Sequence, residues 1–150
     1  MTIVFTTGNI LADRSQALVN TVNCVGVMGA GLALQVKARW PENFALYQRT
    51  CQQNLLLPGG VLTCELDGDA PRFVLNLATK DDWRDPSHLN WIKDGCNNLV
   101  RTIRRNQITS VAIPPLGCGL GALDWAVVRP LLERTAQFLP DCAITIYGPR

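Results

Sequence analysis

The sequence is poor in residues that bind metals in clusters. It has one histidine, His88, and none of its six cysteines belongs to a CxxC pair. The cysteines are Cys24, Cys51, Cys64, Cys96, Cys118 and Cys142. A metal centre is therefore not expected, because zinc and related ions need several closely spaced His, Cys or carboxylate ligands. The start of the chain does not read as a secretion signal, so we expect free thiols in a reducing cytoplasm.

Long apolar runs and strong charge are also missing. No segment is apolar for long enough to cross a bilayer, so no membrane partner is expected. The formal net charge of +2 neither favours nor excludes a nucleic-acid partner. The hydrophobic content of 47% is typical of a globular protein. We predict a single domain over residues 1–150, which is long enough to bury a full core.

A glycine-rich stretch, Asn20–Gln35, follows an apolar strand and reads NTVNCVGVMGAGLALQ. A strand that leads through glycines into a helix N-terminus is typical of an anion site, because backbone N–H groups and the helix dipole point to one place. The GxxGxG spacing of Gly26–Gly31 excludes the GxGxxG dinucleotide motif, and no GK[ST] follows as in a P-loop. A tight turn that needs glycine only for its backbone remains the alternative.

Strands and helices alternate along the chain. We predict strands at Thr2–Thr6, Ala17–Val22, Val61–Glu65, Phe73–Leu77, Ser110–Ile113 and Cys142–Tyr147. Helices are predicted at Gly31–Trp40 and Glu42–Gln53, after Ser87 as N-cap, and after Asp124 as N-cap. This order favours an α/β fold with a mixed sheet covered on both faces. Ligands of such sheets bind beyond the carboxyl ends of the strands, where a second glycine-rich loop, Pro114–Leu123, also lies.

Lys80 is the sharpest catalytic candidate, because it directly follows a buried strand and enters the polar loop Ala78–Pro86. A neutral lysine amine can attack an electrophilic carbon such as the anomeric carbon of a ribose. Asp81 and Asp82 favour the charged ammonium, which could still stabilise a departing group. The alternative is a surface lysine paired with one of these aspartates.

Several other residues have both a functional and a structural interpretation. Asn23 is a plausible ligand for ribose hydroxyls or a simple turn residue. Trp83 and Arg84 could contact a nucleic-acid base or phosphate, or cover a strand end. Cys24 or Cys118 with His88 could form a thiol hydrolase, although nothing in the sequence brings them together.

Five motifs in order carry a resemblance over nearly the whole chain, from about Thr6 to Pro149. They are VNTVNCVGVMGAGLALQ, WPENFALYQ, NLATKDDWRDPS, VAIPPLGCGLGALDW and ITIYGP. Together they resemble a macrodomain of the DarG type, the antitoxin that removes ADP-ribose from thymidine in DNA and so reverses a DarT toxin. The resemblance implies a three-layer α/β/α sandwich with a mixed central sheet. It also implies a metal-independent glycohydrolase without cofactors, whose partners are ADP-ribose, ADP-ribosylated single-stranded DNA and a DarT-type toxin.

The resemblance also implies the roles of individual residues. Lys80 matches the catalytic lysine, and Asn23 matches the asparagine at the distal ribose. Trp83 and Arg84 are expected to contact nucleic acid. The expected ligand-binding residues are Asn9, Ile10, Asn23, Val27, Met28, Gly29, Ala30, Gly31, Leu32, Thr79, Pro115, Leu116, Gly117, Cys118, Gly119, Leu120, Gly121 and Tyr147.

The sequence departs from the family pattern at three positions. Asn9 stands where an aspartate usually accepts from the adenine amino group, and Ala30 replaces a residue that is often lysine. Gly121 stands where the relatives that free protein glutamates carry a catalytic aspartate. This last difference favours a DNA substrate. Hydrolysis of ADP-ribose on protein carboxylates and non-catalytic binding of ADP-ribose remain the alternatives.

Overall fold

The computed structural model describes residues 2–149, which form a six-stranded mixed sheet. The strands are β1 Thr2–Thr6, β2 Ala17–Val22, β3 Val61–Glu65, β4 Phe73–Ala78, β5 Ser110–Ile113 and β6 Ala143–Tyr147. Their spatial order is β1-β6-β5-β2-β4-β3. Every neighbouring pair is parallel except β3 and β4, which are antiparallel. The carboxyl ends of β1, β6, β5, β2 and β4 therefore meet at one edge.

Four helices cover the two faces of this sheet. They are α1 Gly31–Arg39, α2 Pro41–Gln52, α3 Leu89–Arg105 and α4 Trp125–Gln137. Alternate residues of β2 point to opposite faces: Ala17 and Val19 pack with residues of α3 and α4, whereas Leu18 packs with Val36 of α1. The predicted three-layer α/β/α sandwich with a mixed central sheet is therefore confirmed.

Helix α4 begins as its local sequence predicts, whereas the start of α3 depends on a contact with the end of β4. Asp124 caps α4 as predicted, and its carboxylate accepts from the Ala126 N–H at 3.0 Å. The prediction that Ser87 caps α3 is wrong, because the helix begins at Leu89 with His88 at the N-cap. The Ser87 hydroxyl instead donates to the Thr79 carbonyl, and so joins the start of α3 to the end of β4.

A buried cluster of three asparagines joins α2 to the sheet. Asn43 and Asn76 exchange two side-chain hydrogen bonds, at 2.8 and 3.1 Å, and Asn20 donates to Asn76 at 3.1 Å. All three side chains are fully buried, so their amides need one another as partners. Within the described residues, Asn20 Oδ1 is the one buried side-chain oxygen or nitrogen without a hydrogen bond. The cluster fixes the position of α2 against β2 and β4.

No helix within residues 2–149 is both long and apolar enough to cross a membrane. All six cysteines are free thiols, and four of them are buried.

Candidate functional site

A cleft of about 570 Å³ opens at the edge where the carboxyl ends of the parallel strands meet. Both glycine-rich loops and the segment after β4 form its walls. The lining residues are Thr21, Val22, Asn23, Val27, Gly29, Ala30, Gly31, Leu32, Ala33, Thr79, Lys80, Trp83, Pro114, Pro115, Gly117, Gly119, Leu120 and Gly121. The fold thus brings together three segments that are far apart in the sequence.

Asn23 organises the first glycine loop, Asn23–Gly31. Its Oδ1 accepts from the Val25 N–H at 3.0 Å, the Val27 N–H at 3.4 Å and the Tyr47 hydroxyl at 2.7 Å. Its Nδ2 donates to the Val27 carbonyl at 2.8 Å. The side chain is buried at 6% exposure and also borders the cleft. Asn23 therefore holds the turn, as the structural interpretation expects, and it also lines the cleft. Its contact with a ribose stays a prediction.

The N-terminus of α1 points backbone donors toward the cleft. The helix begins at Gly31, and its N-cap, Ala30, has no side-chain oxygen to accept from the first turn. The first N–H groups of a helix have no partner within the helix, so these donors are available to an anion. Gly31 has φ +56°, a left-handed conformation that favours glycine, and no heavy atom lies within 4 Å of a Cβ built there. An anion can therefore approach this turn closely.

The second glycine loop is tied to the segment that carries Lys80. The Ser87 N–H donates to the Gly121 carbonyl at 3.0 Å, while the Ser87 hydroxyl donates to the Thr79 carbonyl. A Cβ at Gly121 would lie 2.4 Å from the Gly117 carbonyl oxygen and 2.7 Å from Ser87 Oγ. The loop therefore has no room for an aspartate at position 121 in this conformation. Gly119, in contrast, is exposed at the cleft with open space around a built Cβ.

Lys80 lies half-buried at the end of β4 and borders the cleft. Its Nζ donates to the Trp83 carbonyl at 3.3 Å. Asp82 pairs with Arg84 at 3.1 Å, and this hydrogen-bonded guanidinium lowers the pKa of the Asp82 carboxyl. Among residues 2–149, no aspartate forms an ion pair with Lys80. The alternative of a surface lysine paired with one of its neighbouring aspartates is therefore not found in the described part of the chain.

Trp83 and Arg84 stand on the rim beside Lys80. The Trp83 side chain is 52% exposed, and the Arg84 guanidinium lies 5.2 Å from the centre of its ring. Trp83 borders the cleft, whereas Arg84 lies outside its lining. An exposed indole beside a cation suits a flat ligand such as a nucleobase.

The thiol alternative has little support from the environment of the cysteines. Burial, followed by the nearby charge of Asp81, raises the pKa of Cys24 to about 12. Burial likewise raises the pKa of Cys118 to about 11. A thiol with a raised pKa is a poor nucleophile near neutral pH. His88 packs edge-on against Trp91, with 4.2 Å between ring centres.

Seven predicted site residues lie outside the lining of the cleft. Met28 and Leu116 are buried at 1% and 0% exposure, so they belong to the core beneath the two glycine loops. Cys118 and Arg84 stand beside the cleft in their loops. The other three lie at the ends of two strands: Asn9 and Ile10 come after β1, and Tyr147 is the last residue of β6.

Asn9, Ile10 and Tyr147 form a group of their own at the ends of β1 and β6. Asn9 caps the short 3₁₀ turn Ile10–Ala12 and accepts from the Leu11 N–H at 3.0 Å. Tyr147 donates to Asp13 at 2.7 Å. Partial burial acts to raise the pKa of Asp13, but hydrogen bonds from Ser15 and Tyr147 outweigh it and lower the pKa. The binding roles of Asn9, Ile10 and Tyr147 remain predictions.

Sequence reasoning missed several residues of the site. Four residues that were not predicted also line the cleft, and each lies one or two positions from a predicted residue. They are Thr21, Val22, Ala33 and Pro114. The contributions of Tyr47 and Ser87 were missed because local patterns do not reveal the partners of their hydroxyls. These partners are Asn23, 24 residues from Tyr47, and the Thr79 carbonyl, eight residues from Ser87. In the described part of the chain, no group of three His, Cys, Asp or Glu side chains could hold a metal ion.

The architecture and the cleft define the class of protein. The family model described as Macro domain matches residues 19–132, which include both glycine loops and Lys80. The chain belongs to the macrodomain family.

Within this family, the chain is similar to proteins described as DNA ADP-ribosyl glycohydrolases and to solved DarG structures. The chain is 46% identical over 150 residues to the DNA ADP-ribosyl glycohydrolase of Mycobacterium tuberculosis, covering 98% of this chain and 42% of that protein. The chain thus spans less than half the length of this curated relative. The solved macrodomain of M. tuberculosis DarG is 44% identical, has a TM-score of 0.98 and matches over 99% of both chains. Thermosipho africanus DarTG in complex with ADP-ribose is 31% identical, with a TM-score of 0.92 over 99% of this chain and 42% of that chain.

Proposed function

We propose that this chain is an ADP-ribosyl glycohydrolase that removes single ADP-ribose units from thymidine bases in DNA. The observation that carries the proposal is the position of Lys80 in a cleft built from two glycine-rich loops. The likeness to the M. tuberculosis DNA ADP-ribosyl glycohydrolase and to the DarG macrodomain supports it. The reaction reverses the modification made by a DarT-type transferase, which is the corresponding partner. Six free thiols suit a cytoplasmic protein.

ADP-ribose is the proposed occupant of the cleft. The start of α1, with its open N–H groups, and the backbone around Gly119 both line it, and together they can hold a diphosphate without cationic side chains. Asn23 then lies on the β2 side with Lys80 beside it, which suits the distal ribose. The group formed by Asn9, Ile10 and Tyr147 is proposed to hold the adenine.

Lys80 is proposed to act at the anomeric carbon of the distal ribose. The bond from this carbon to the thymidine base breaks through a transition state of oxocarbenium character. In one route the neutral amine attacks the carbon and water later hydrolyses the adduct. In the other route the ammonium stabilises or protonates the departing base while water attacks. The reaction is proposed to be metal-independent, since neither route uses a metal ion.

The rim and the second loop favour DNA over protein carboxylates. Trp83 offers an exposed ring on which a neighbouring base of single-stranded DNA can stack, and Arg84 supplies a positive charge beside it. Gly121 carries no carboxylate, and its surroundings leave no space for one. The reaction on protein glutamates would lack the catalytic aspartate expected at that position.

The test compares two substrates under identical conditions. One is a single-stranded oligonucleotide with an ADP-ribosylated thymidine, and the other is a protein carrying ADP-ribose on glutamate. We expect free ADP-ribose from the oligonucleotide, with little release from the protein, and the same rate in excess EDTA. Release from the protein alone would show that the substrate assignment is wrong. Tight binding of ADP-ribose without release from either substrate would identify a non-catalytic binding module.

A further inference from the structure

Tyr47 of α2 makes a buried polar contact with the first glycine loop. Its side chain is fully buried, and its hydroxyl lies 2.7 Å from Asn23 Oδ1 and 2.8 Å from the Asn23 carbonyl oxygen. The mechanism proposed above does not use this hydroxyl. A tyrosine in a core usually finds some polar partner, so the choice of partner decides whether the contact concerns the site.

The contact determines which atom of Asn23 can meet a ligand. Oδ1 accepts from the N–H groups of Val25 and Val27 and from the Tyr47 hydroxyl, whose single hydrogen it shares with the Asn23 carbonyl oxygen. An amide oxygen with three donors has no lone pair left for another strong hydrogen bond. Nδ2 gives one hydrogen to the Val27 carbonyl, and an amide nitrogen has two. The second hydrogen is the group that Asn23 can offer to the cleft.

The helix that carries Tyr47 is fixed in place. Asn43 lies one turn earlier on α2 and exchanges two hydrogen bonds with Asn76 of β4. Tyr47 and Asn43 therefore hold α2 against the ends and the middle of the central strands. Burial is the main cause that raises the pKa of Tyr47, so its hydroxyl stays protonated and remains a donor.

We propose that Tyr47 is a positioning residue that locks the Asn23 side chain so that it presents only an N–H donor to the bound sugar. Asn23 then recognises a lone pair on a ribose oxygen and cannot accept a hydroxyl hydrogen. This inference rests on the proposed function, because it takes the cleft to hold ADP-ribose. A tyrosine that stabilises only the core would affect folding but would not act through Asn23.

The experiment is a double-mutant cycle on ADP-ribose affinity. Calorimetry compares the wild type with Tyr47→Phe, Asn23→Ala and the double variant, and thermal melting checks that each is folded. Thr50→Val is the matched control, because it removes a hydroxyl on the same helix that bonds only to the Leu46 carbonyl. We expect Tyr47→Phe to weaken binding by about tenfold, the scale of one misplaced hydrogen bond. Thr50→Val should bind within about twofold of wild type.

The double variant distinguishes positioning from a structural role. If Tyr47 acts through Asn23, the double variant binds no more weakly than Asn23→Ala alone, because residues that work as one unit are not additive. Wild-type affinity of Tyr47→Phe, or losses that add in the double variant, would overturn the inference while leaving the site in place. Wild-type affinity of Asn23→Ala would instead overturn the proposed site.

Discussion

At the scale of single residues, Lys80 differs from an ordinary surface lysine in what surrounds its amine. The neighbouring Asp82 is engaged by Arg84, and the Lys80 amine donates to the backbone carbonyl of Trp83 at 3.3 Å. A neutral carbonyl holds the amine in place without a fixed counter-charge. Within residues 2–149, the Lys80 amine is therefore held without an ion-pair partner.

Gly119 tests the proposed role of the second glycine loop in binding. A Cβ at this position meets no heavy atom within 4 Å, and the residue is exposed at the cleft. We predict that Gly119→Glu folds normally but abolishes ADP-ribose binding, because a charged side chain then occupies the space of the diphosphate. Calorimetry measures the affinity, and circular dichroism checks the fold.

The matched control for this variant is Gly119→Ala. A methyl group meets no protein atom, so this variant should also fold normally, and its small uncharged side chain should weaken affinity less than glutamate does. If Gly119→Glu binds ADP-ribose with unchanged affinity, the second glycine loop is not part of the ligand site.

The residue scale also shows what a sequence can and cannot reveal about a site. The positions of Asn23 and Lys80 at the cleft were predictable because they follow apolar strands by one and two residues, and the end of such a strand lies at the binding edge. The contributions of Ser87 and Tyr47 were not predictable. Each depends on a hydroxyl that meets a partner from another element, and no local pattern encodes that meeting.

At the scale of elements, α2 connects the core to the first glycine loop. Its Asn43 pairs with Asn76, and its Tyr47 pairs with Asn23. The two side chains are four residues apart and therefore lie on the same face of the helix. The asparagine cluster thus fixes the position of α2 along the sheet, and with it the position of Tyr47 beside the first glycine loop.

Asn43→Ala tests this element directly. The substitution removes both hydrogen bonds to Asn76 and leaves a buried amide hydrogen unpaired, so we predict a loss of about 2 kcal/mol in the free energy of unfolding. Urea denaturation measures the change. Asn97→Ala, on the exposed face of α3, is the control and should change stability by less than about 0.5 kcal/mol. Equal stability of the two variants would show that the cluster is not important for α2.

The elements themselves were largely predictable from local patterns. All six predicted strands occur, and the bounds of β4 and β6 each shift by one residue. Apolar runs bounded by glycine or proline mark strands well, because such runs are short and buried. The helix after Ser87 was predicted one residue too early at its start, since the serine is drawn to the Thr79 carbonyl.

At the scale of the whole molecule, the strand order explains how the site is assembled. The last strand, β6, lies between β1 and β5, and this order places β2 between β5 and β4. The loops after β2 and β5 and the segment after β4 therefore become neighbours at one edge. Strand order depends on pairing between distant segments, so the periodicity of the sequence did not predict it, and the motif resemblance indicated only a mixed sheet between two layers of helices.

We propose that Lys80 performs the chemistry and that other groups of the cleft hold ADP-ribose. The most direct test measures turnover on ADP-ribosylated single-stranded DNA and affinity for free ADP-ribose in one variant, Lys80→Ala. We predict a loss on the order of 10²-fold or more in turnover. The affinity should stay within about fivefold of wild type, because a group that acts in the transition state contributes little to ground-state binding.

Two further variants complete this measurement. Lys80→Arg should be equally inactive if the neutral amine attacks, since a guanidinium stays protonated, whereas retained activity would favour the electrostatic route. Lys93→Ala, which removes an exposed lysine of α3, should keep full turnover. If Lys80→Ala releases ADP-ribose from modified DNA at the wild-type rate, Lys80 is not catalytic and the account is contradicted.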